Sequence, residues 1–232
     1  MRFHRFYVDR PISEETFDIV DANLIHQWRD VFRYNVGGRV ILFDGSGTDF
    51  ICMITSLRNL GATVSVVQKM ENIQKPKRSL WLCVGIVKKD NFELVVQKAT
   101  ELGVTHIIPL LCERTEKKNI NMDRLHKIAI ESSEQSGRAD LPVIHDIRTL
   151  SELFKEMILP REKFVLNFDG KYIGDISPTV PSELAVFIGP EGGWSDREMK
   201  EFVLQNIQAV SLGTQVLRAE TASVAVSSLL LL

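Results

Sequence analysis

The sequence predicts an α/β protein in two parts, a small β-barrel over residues 1–72 and, from residue 80, a domain on a mainly parallel sheet. Three observations predict it. Short apolar runs separated by Gly/Asp turns fill the first part, as in a barrel of short strands. Residues 73–79, Ile-Gln-Lys-Pro-Lys-Arg-Ser, are polar, basic and broken by a proline, which reads as a linker. Beyond them, apolar runs of strand length alternate with helical patterns, the signature of a parallel α/β sheet.

In the first part, Val40–Phe43, Phe50–Ile54 and Ala62–Val67 are the strand runs, and Asp44-Gly45-Ser46-Gly47 is a turn. One helix interrupts them. Asp21 can cap it, Leu24, Ile25, Trp28, Val31 and Phe32 follow 3-4 spacing, and Gly37-Gly38 stops it. In the second part Leu80–Val87 is a strand. Asp90-Asn91-Phe92-Glu93 reads as a capping box opening a helix to Leu102, with Gly103 as its end. Val104–Leu110 is a strand, and Asp123–Ser136 a helix closed by Gly137. A short strand near Val143, a helix near Leu150–Met157 and strands at Lys163–Phe168 and Glu183–Ile188 follow. Ser195-Asp196-Arg197-Glu198 is a second capping box, Ala209–Leu212 the last strand, and Glu220 opens the last helix.

Composition narrows the class. The 232 residues are 44% hydrophobic and 25% charged, with a net charge of −2, so the chain folds rather than staying disordered. No apolar window reaches the roughly 18 residues that a membrane span needs. The start, MRFHRFYVDRP, lacks the apolar core of a secretory signal. Cys52, Cys83 and Cys112 stand singly. This implies a reducing, cytoplasmic compartment, with neither a disulfide framework nor a zinc site. His26, His106, His126 and His145 have no partners at ligand spacing and read as structural, so no metal is expected. Near-neutral charge excludes a grip on nucleic acid by bulk charge alone, though not a local basic face.

Chemistry in an open parallel sheet gathers where the strands end. Three loops qualify: Asn167-Phe168-Asp169-Gly170, Gly189-Pro190-Glu191-Gly192-Gly193, and Leu212 to Ala222. They contain neither a dinucleotide fingerprint nor a P-loop. Glycine loops without phosphate-binding side chains suit a flat, largely uncharged group read by backbone N–H and C=O. The plain alternative is a strand-to-helix turn ahead of Ser195.

Ile188-Gly189-Pro190-Glu191-Gly192-Gly193-Trp194-Ser195, then Leu212-Gly213, then Leu217-Arg218-Ala219-Glu220-Thr221-Ala222, resemble the SPOUT class of RNA methyltransferases. Lys98-Ala99-Thr100-Glu101-Leu102-Gly103-Val104, Pro109, Arg114, Glu134-Gln135-Ser136-Gly137-Arg138 and Pro142 are similar to the family of bacterial ribosomal RNA small subunit methyltransferase E. The opening Arg2-Phe3-His4-Arg5-Phe6 and the Asp44-Gly45 turn fit that family's PUA-like RNA-binding barrel. The resemblance implies methylation of uridine N3 in 16S rRNA, as free RNA or in the small ribosomal subunit, with S-adenosylmethionine as donor. It further implies a trefoil knot in the C-terminal domain and a homodimer. A ribose 2′-O-methyltransferase and a non-catalytic assembly factor are the rival readings.

On that resemblance Leu166, Gly189, Glu191, Gly192, Leu212, Gly213, Val216 and Leu217 are candidates for the cofactor pocket. The four aliphatic residues fit an ordinary core equally well. Glu191 either caps its own backbone or faces the cationic sulfonium region. Uracil N3 must lose a proton, and charge then spreads to the carbonyl oxygens, where a fixed cation stabilises it. Arg218 is assigned that catalytic role, against the alternative of a clamp with Glu220 or Glu191. No general base is named. Arg2, His4, Arg5, Lys88, Arg114 and Arg138 are the candidate RNA contacts, with the basic stretch Lys75, Lys77, Arg78, Lys88 and Lys89 beside them.

Overall fold

A computed structural model describes residues 3–74, 76, 78–116, 119–175 and 182–232. Arg2, Lys75 and Lys77, three of the basic candidates, lie outside the described residues. The chain forms two compact units. One comprises Met1–Lys75 with Ser133–Leu141, the other Pro76–Ser132 with Pro142–Leu232. The sequence placed residues 133–141 in the second part, but they group with the first.

The first unit carries a five-stranded sheet in the order β1-β3-β4-β5-β2. Its strands are β1 (Arg5–Tyr7), β2 (Thr16–Ile19), β3 (Arg39–Phe43), β4 (Thr48–Arg58) and β5 (Gly61–Glu71). β1 runs parallel to β3, and the other pairs are antiparallel. The edge strands β1 and β2 do not pair with each other among the described residues, so the expected barrel is an open sheet. At the turn after β3 Gly45 and Gly47 take φ of +86° and +83°, and the Asp44 carboxylate accepts the Ser46 and Ile12 N–H groups. Trp28, Val40, Leu42, Ile54 and Val64 are fully buried in the core.

Asp21 caps α1 (Ala22–His26) as expected, accepting the N–H groups of Asn23 and Leu24. The helix is shorter than its apolar spacing predicts. It widens into a π-helical turn, Gln27–Val31. The extra residue per turn rotates Val31 and Phe32 out of the core-facing row, and both are exposed.

Residues 133–141 are bound into the first unit by a polar network. Asp49 accepts both guanidinium nitrogens of Arg5 at 2.7 Å, and the Asn72 amide at 2.8 Å. Arg5 also donates to the Arg138 carbonyl, Asn72 to that of Gly137, and the Gly47 N–H to that of Ala139. These partners are 23 to 133 residues apart, so no local pattern announces them.

The second unit has a six-stranded sheet of order β11-β9-β10-β6-β7-β8, parallel throughout. Its strands are β6 (Ser79–Gly85), β7 (His106–Leu110), β8 (Val143–Ile144), β9 (Glu162–Tyr172), β10 (Glu183–Ile188) and β11 (Gln208–Ser211). Its helices are α2 (Lys89–Leu102), α3 (Met122–Ser136, whose last four residues group with the first unit), α4 (Leu150–Glu156), α5 (Asp196–Leu204) and α6 (Ala219–Leu231). Successive strand residues face opposite sides. Leu80, Leu82 and Val84 therefore pack with Phe92, Val95 and Val226 on one face. Cys83, Ile108 and Phe187 pack with Leu153 and Phe202 on the other. All three cysteines are buried thiols.

Two local expectations are corrected. Asp90 does not cap α2. Asn91 and Phe92 N–H groups already bond the Lys88 carbonyl, so the helix begins earlier and Asp90 falls in its first turn. Glu93 instead pairs with Lys89 and Arg124. Residues 167–170 do not end the strand. They bulge out within β9, whose ladder with β11 steps from Val165 opposite Ala209 directly to Lys171 opposite Val210 and Tyr172 opposite Ser211. Gly170 makes this pairing possible, since a Cβ there would sit about 2.4 Å from the Val210 carbonyl carbon.

Candidate active site

A cavity of about 720 Å³ opens in the second unit at the carboxyl ends of β9, β10 and β11. Its first wall is the turn after β10. The Gly193 N–H donates to the Pro190 carbonyl at 2.8 Å, with Gly193 at φ +68°. The turn is tied on three sides. Glu191 accepts the Lys88 N–H at 3.2 Å, anchoring it to the segment after β6. Arg114 donates to the Gly192 carbonyl at 3.1 Å. The Trp194 indole N–H donates to the Leu166 carbonyl at 3.2 Å, and its ring lies 3.3 Å from where a Gly189 Cβ would stand.

Beyond the turn, the expected capping box of α5 is present. Glu198, 5% exposed, accepts the Ser195 N–H at 2.7 Å and, with its other oxygen, the Glu113 N–H at 3.0 Å. One carboxylate thus fastens both the helix start and the segment that carries Arg114. Burial, with Glu198 close by, pushes the Cys112 thiol up to about 12, so this cysteine is an inert packing group.

The second wall is the segment after β11. Gly213 takes φ +124°, and residues 214–218 are exposed. Arg218 precedes α6 without capping it through its side chain. Among the described residues it makes no ion pair, so the clamp with Glu191 or Glu220 is absent. Glu220 is buried, and its Oε2 has no hydrogen-bond partner among the described residues.

The sequence candidates largely converge. Leu166, Gly189, Glu191, Leu212, Gly213, Val216, Leu217, Arg218 and Lys88 all line this cavity. Leu166 and Leu212 also pack on the core, whereas Val216 and Leu217 are exposed and not core residues. Gly192 is a correction. It does not line the cavity; its Cα faces Arg114, whose Cβ would lie 2.9 Å from an added Cβ. Arg114, expected to contact RNA, is engaged on that same turn. Arg5 and Arg138 are corrected as free RNA contacts. Their side chains are 10% and 4% exposed, and they pair with Asp49 and Asp140 at 2.7 and 2.8 Å.

Asn91, Asn167, Phe168, Trp194, Met199 and Gln215 line the cavity without having been singled out for it. Phe168 carried a signal, an aromatic ring between Asn167 and Asp169 in a segment read as a loop. The histidines hold another surprise. His106 Nδ1 lies 3.0 Å from His145 Nε2, and Trp81 stacks on His106 at 3.9 Å. Strand register brings these rings together away from the cavity. Burial, then the neighbouring His145, lowers the His106 pKa; burial, then Arg148, lowers that of His145. Among the described residues no cluster of His, Cys, Asp and Glu suits a metal ion.

The sequence profile of the RNA methyltransferase domain family matches residues 74–231. The chain belongs to that family. Within it, the chain is 31% identical to ribosomal RNA small subunit methyltransferase E of Rickettsia conorii, covering 97% of this chain and 93% of that protein. It is 27% identical to the enzyme of the same name from Bacillus subtilis over 94% of this chain and 92% of the relative. Two solved structures share the family fold. The Neisseria gonorrhoeae enzyme of that name, bound to S-adenosyl methionine, superposes with a TM-score of 0.88 at 28% identity, over 98% of this chain and 96% of its own. A Legionella pneumophila methyltransferase holding the same cofactor gives 0.90 at 28% identity, over 99% and 97%. The α/β fold with its parallel sheet is thus the fold of this family.

Proposed function

We propose that this chain transfers a methyl group from S-adenosylmethionine to N3 of a uridine in 16S rRNA. The observation that carries the reading is the convergence of the two glycine-bearing segments on one cavity, in a chain whose relatives of comparable length bear that enzyme name and hold that cofactor. The cavity suits the donor. Leu166, Leu212, Val216 and Phe168 offer apolar contact to a flat base, and backbone edges at Gly189 and Leu212 can read its polar rim. Glu191 supplies a carboxylate toward a cationic centre. The bound donor brings an electrophilic methyl group on a sulfonium.

The protein's own part is orientation and charge. The tied glycine turn fixes one side of the site in advance, and alignment of reacting atoms supplies a large share of such rates. Arg218, at the cavity edge, neutralises the negative charge that develops on the uracil carbonyl oxygens as N3 loses its proton. Lys88, at the mouth, offers a second cation for RNA.

Finer features belong to the same reading. The second unit is a SPOUT domain whose chain is threaded as a trefoil knot; the match of residues 74–231 to the RNA methyltransferase domain family supports it. The first unit is PUA-like and binds RNA. The protein works as a homodimer in the cytoplasm, and Leu229, exposed on α6, and Leu232, exposed just after it, support the second copy. Among the described residues no helix is long and apolar enough to cross a membrane. The test is methyl transfer from labelled donor to naked 16S rRNA and to small subunits, with the modified atom mapped by mass spectrometry. Label on N3 of a uridine is expected. Label on a ribose hydroxyl, or none on either substrate, rejects the reading.

A further inference from the structure

We propose that Phe32, Arg33 and Tyr34 of the first unit form a stacking site for an unpaired base of single-stranded RNA. This rests on the reading that the chain acts on RNA. Four observations carry it.

The first is a second layer of rings. Phe6 and Trp28, 2% and 0% exposed, belong to the core, and Tyr34 packs against it. Phe32 packs edge-on to Phe6 at 5.4 Å, and Tyr34 edge-on to Trp28 at 6.3 Å. The two outer rings lie 5.9 Å apart with planes 30° from parallel. Phe32 remains 37% exposed.

The second is a rigid mounting. His4 sits 4.3 Å from Phe32, and its Nδ1 lies 2.7 Å from the Tyr34 hydroxyl. His4, expected to contact RNA, acts here as a brace for the rings.

The third is the backbone. The chain leaves the π-helical turn and reverses at Arg33, which holds φ +54°. Left-handed backbone is unfavourable for a side chain of this kind and gathers at functional segments. Here it lets residues 32 and 34 join one ring cluster.

The fourth is charge. Arg29, Arg33 and Arg39 are exposed and have no ion-pair partner among the described residues. The acid between them, Asp30, faces His26 at 2.6 Å. Aromatic faces beside unpaired arginines match what single-stranded nucleic acid offers, an open base and a phosphate. The buried arginines of this unit, Arg5 and Arg138, cannot serve in this way.

The test uses the full chain with a short fluorescent oligouridylate, an RNA duplex of the same length, and S-adenosylmethionine as an independent ligand. Phe32→Leu keeps apolar bulk but loses the ring. It should weaken oligouridylate binding about tenfold, with unchanged melting temperature and unchanged cofactor affinity. Arg33→Ala should lower the salt dependence by about one phosphate contact. Wild-type oligouridylate affinity in a folded Phe32→Leu protein overturns the proposal and leaves the rings to a protein partner. Equal weakening for duplex and single strand also overturns it, because stacking requires an open base. Failure of the wild type to bind S-adenosylmethionine rejects the methyltransferase reading instead, and the oligouridylate measurement is unaffected by that result.

Discussion

The two walls of the cavity are built in opposite ways. The turn at Gly189–Gly193 is held from the segment after β6, from β9 and from the segment before α3, through Glu191, Trp194 and Arg114. Among the described residues, no side chain from Leu212 to Arg218 makes a hydrogen bond or ion pair, and Val216 is 86% exposed. One wall is finished by the fold, whereas the other is left for a ligand to complete. A preorganised wall positions the donor at no further ordering cost, and a loosely tied one admits and releases it. The cation assigned to the reaction belongs to the second wall.

The largest expected effect comes from that cation. Arg218→Ala should lower single-turnover methyl transfer by about 10²–10³ while calorimetric affinity for S-adenosylmethionine stays within a few-fold. Because Arg218 is exposed and makes no ion pair among the described residues, its removal leaves stability unchanged. A parallel loss of cofactor affinity would place Arg218 in binding rather than chemistry.

The tied wall is probed next. Gly189→Val should weaken S-adenosylmethionine binding by about tenfold or more, a change of about 1.4 kcal/mol. The new side chain meets the Trp194 ring and breaks the indole bond to Leu166. Gly192→Ala should weaken binding less, and by a different route. Its Cβ strikes the Arg114 Cβ rather than ligand space, so adding Arg114→Gly, which removes that atom, should remove most of the penalty. Additive penalties in that double-mutant cycle would show that residue 192 faces the ligand after all.

Glu198→Ala is expected to cost stability more than chemistry. It orphans the Ser195 and Glu113 N–H groups, at about 1–3 kcal/mol. That corresponds to roughly 2–4 °C in melting temperature per kcal/mol for a chain of this size.

The smallest effect lies away from both walls. His106 and His145 have folded pKa values below the ordinary histidine value. The folded state therefore favours their neutral forms. Their contribution is complete above the unfolded pKa of about 6.5 and is lost as pH falls through the lowered folded values. Melting temperature should drop as pH is taken from 7.5 toward 5, and His145→Asn should flatten that drop. Cofactor affinity measured on the same variant should not change.

Legibility followed sequence distance. The Gly189–Gly193 turn and the Ser195–Glu198 box are local patterns and were readable, as was Asp21 as a cap. The far half of β9 was not, because it becomes strand only through pairing with β11 some forty residues later. Arg5 read as a free basic residue until register set it against Asp49, 44 residues on. His106 and His145, 39 residues apart, met in the same way. Gly192 shows a finer limit. Glycine spacing located the turn but did not reveal which glycine backs onto an arginine and which opens to the cavity.

Hydrogen–deuterium exchange with and without S-adenosylmethionine tests the two-wall account most directly. The account predicts strong new protection across residues 212–218, with little change at 189–193, which is already bonded in the free protein. Protection confined to 189–193, or to segments outside the cavity, would contradict it.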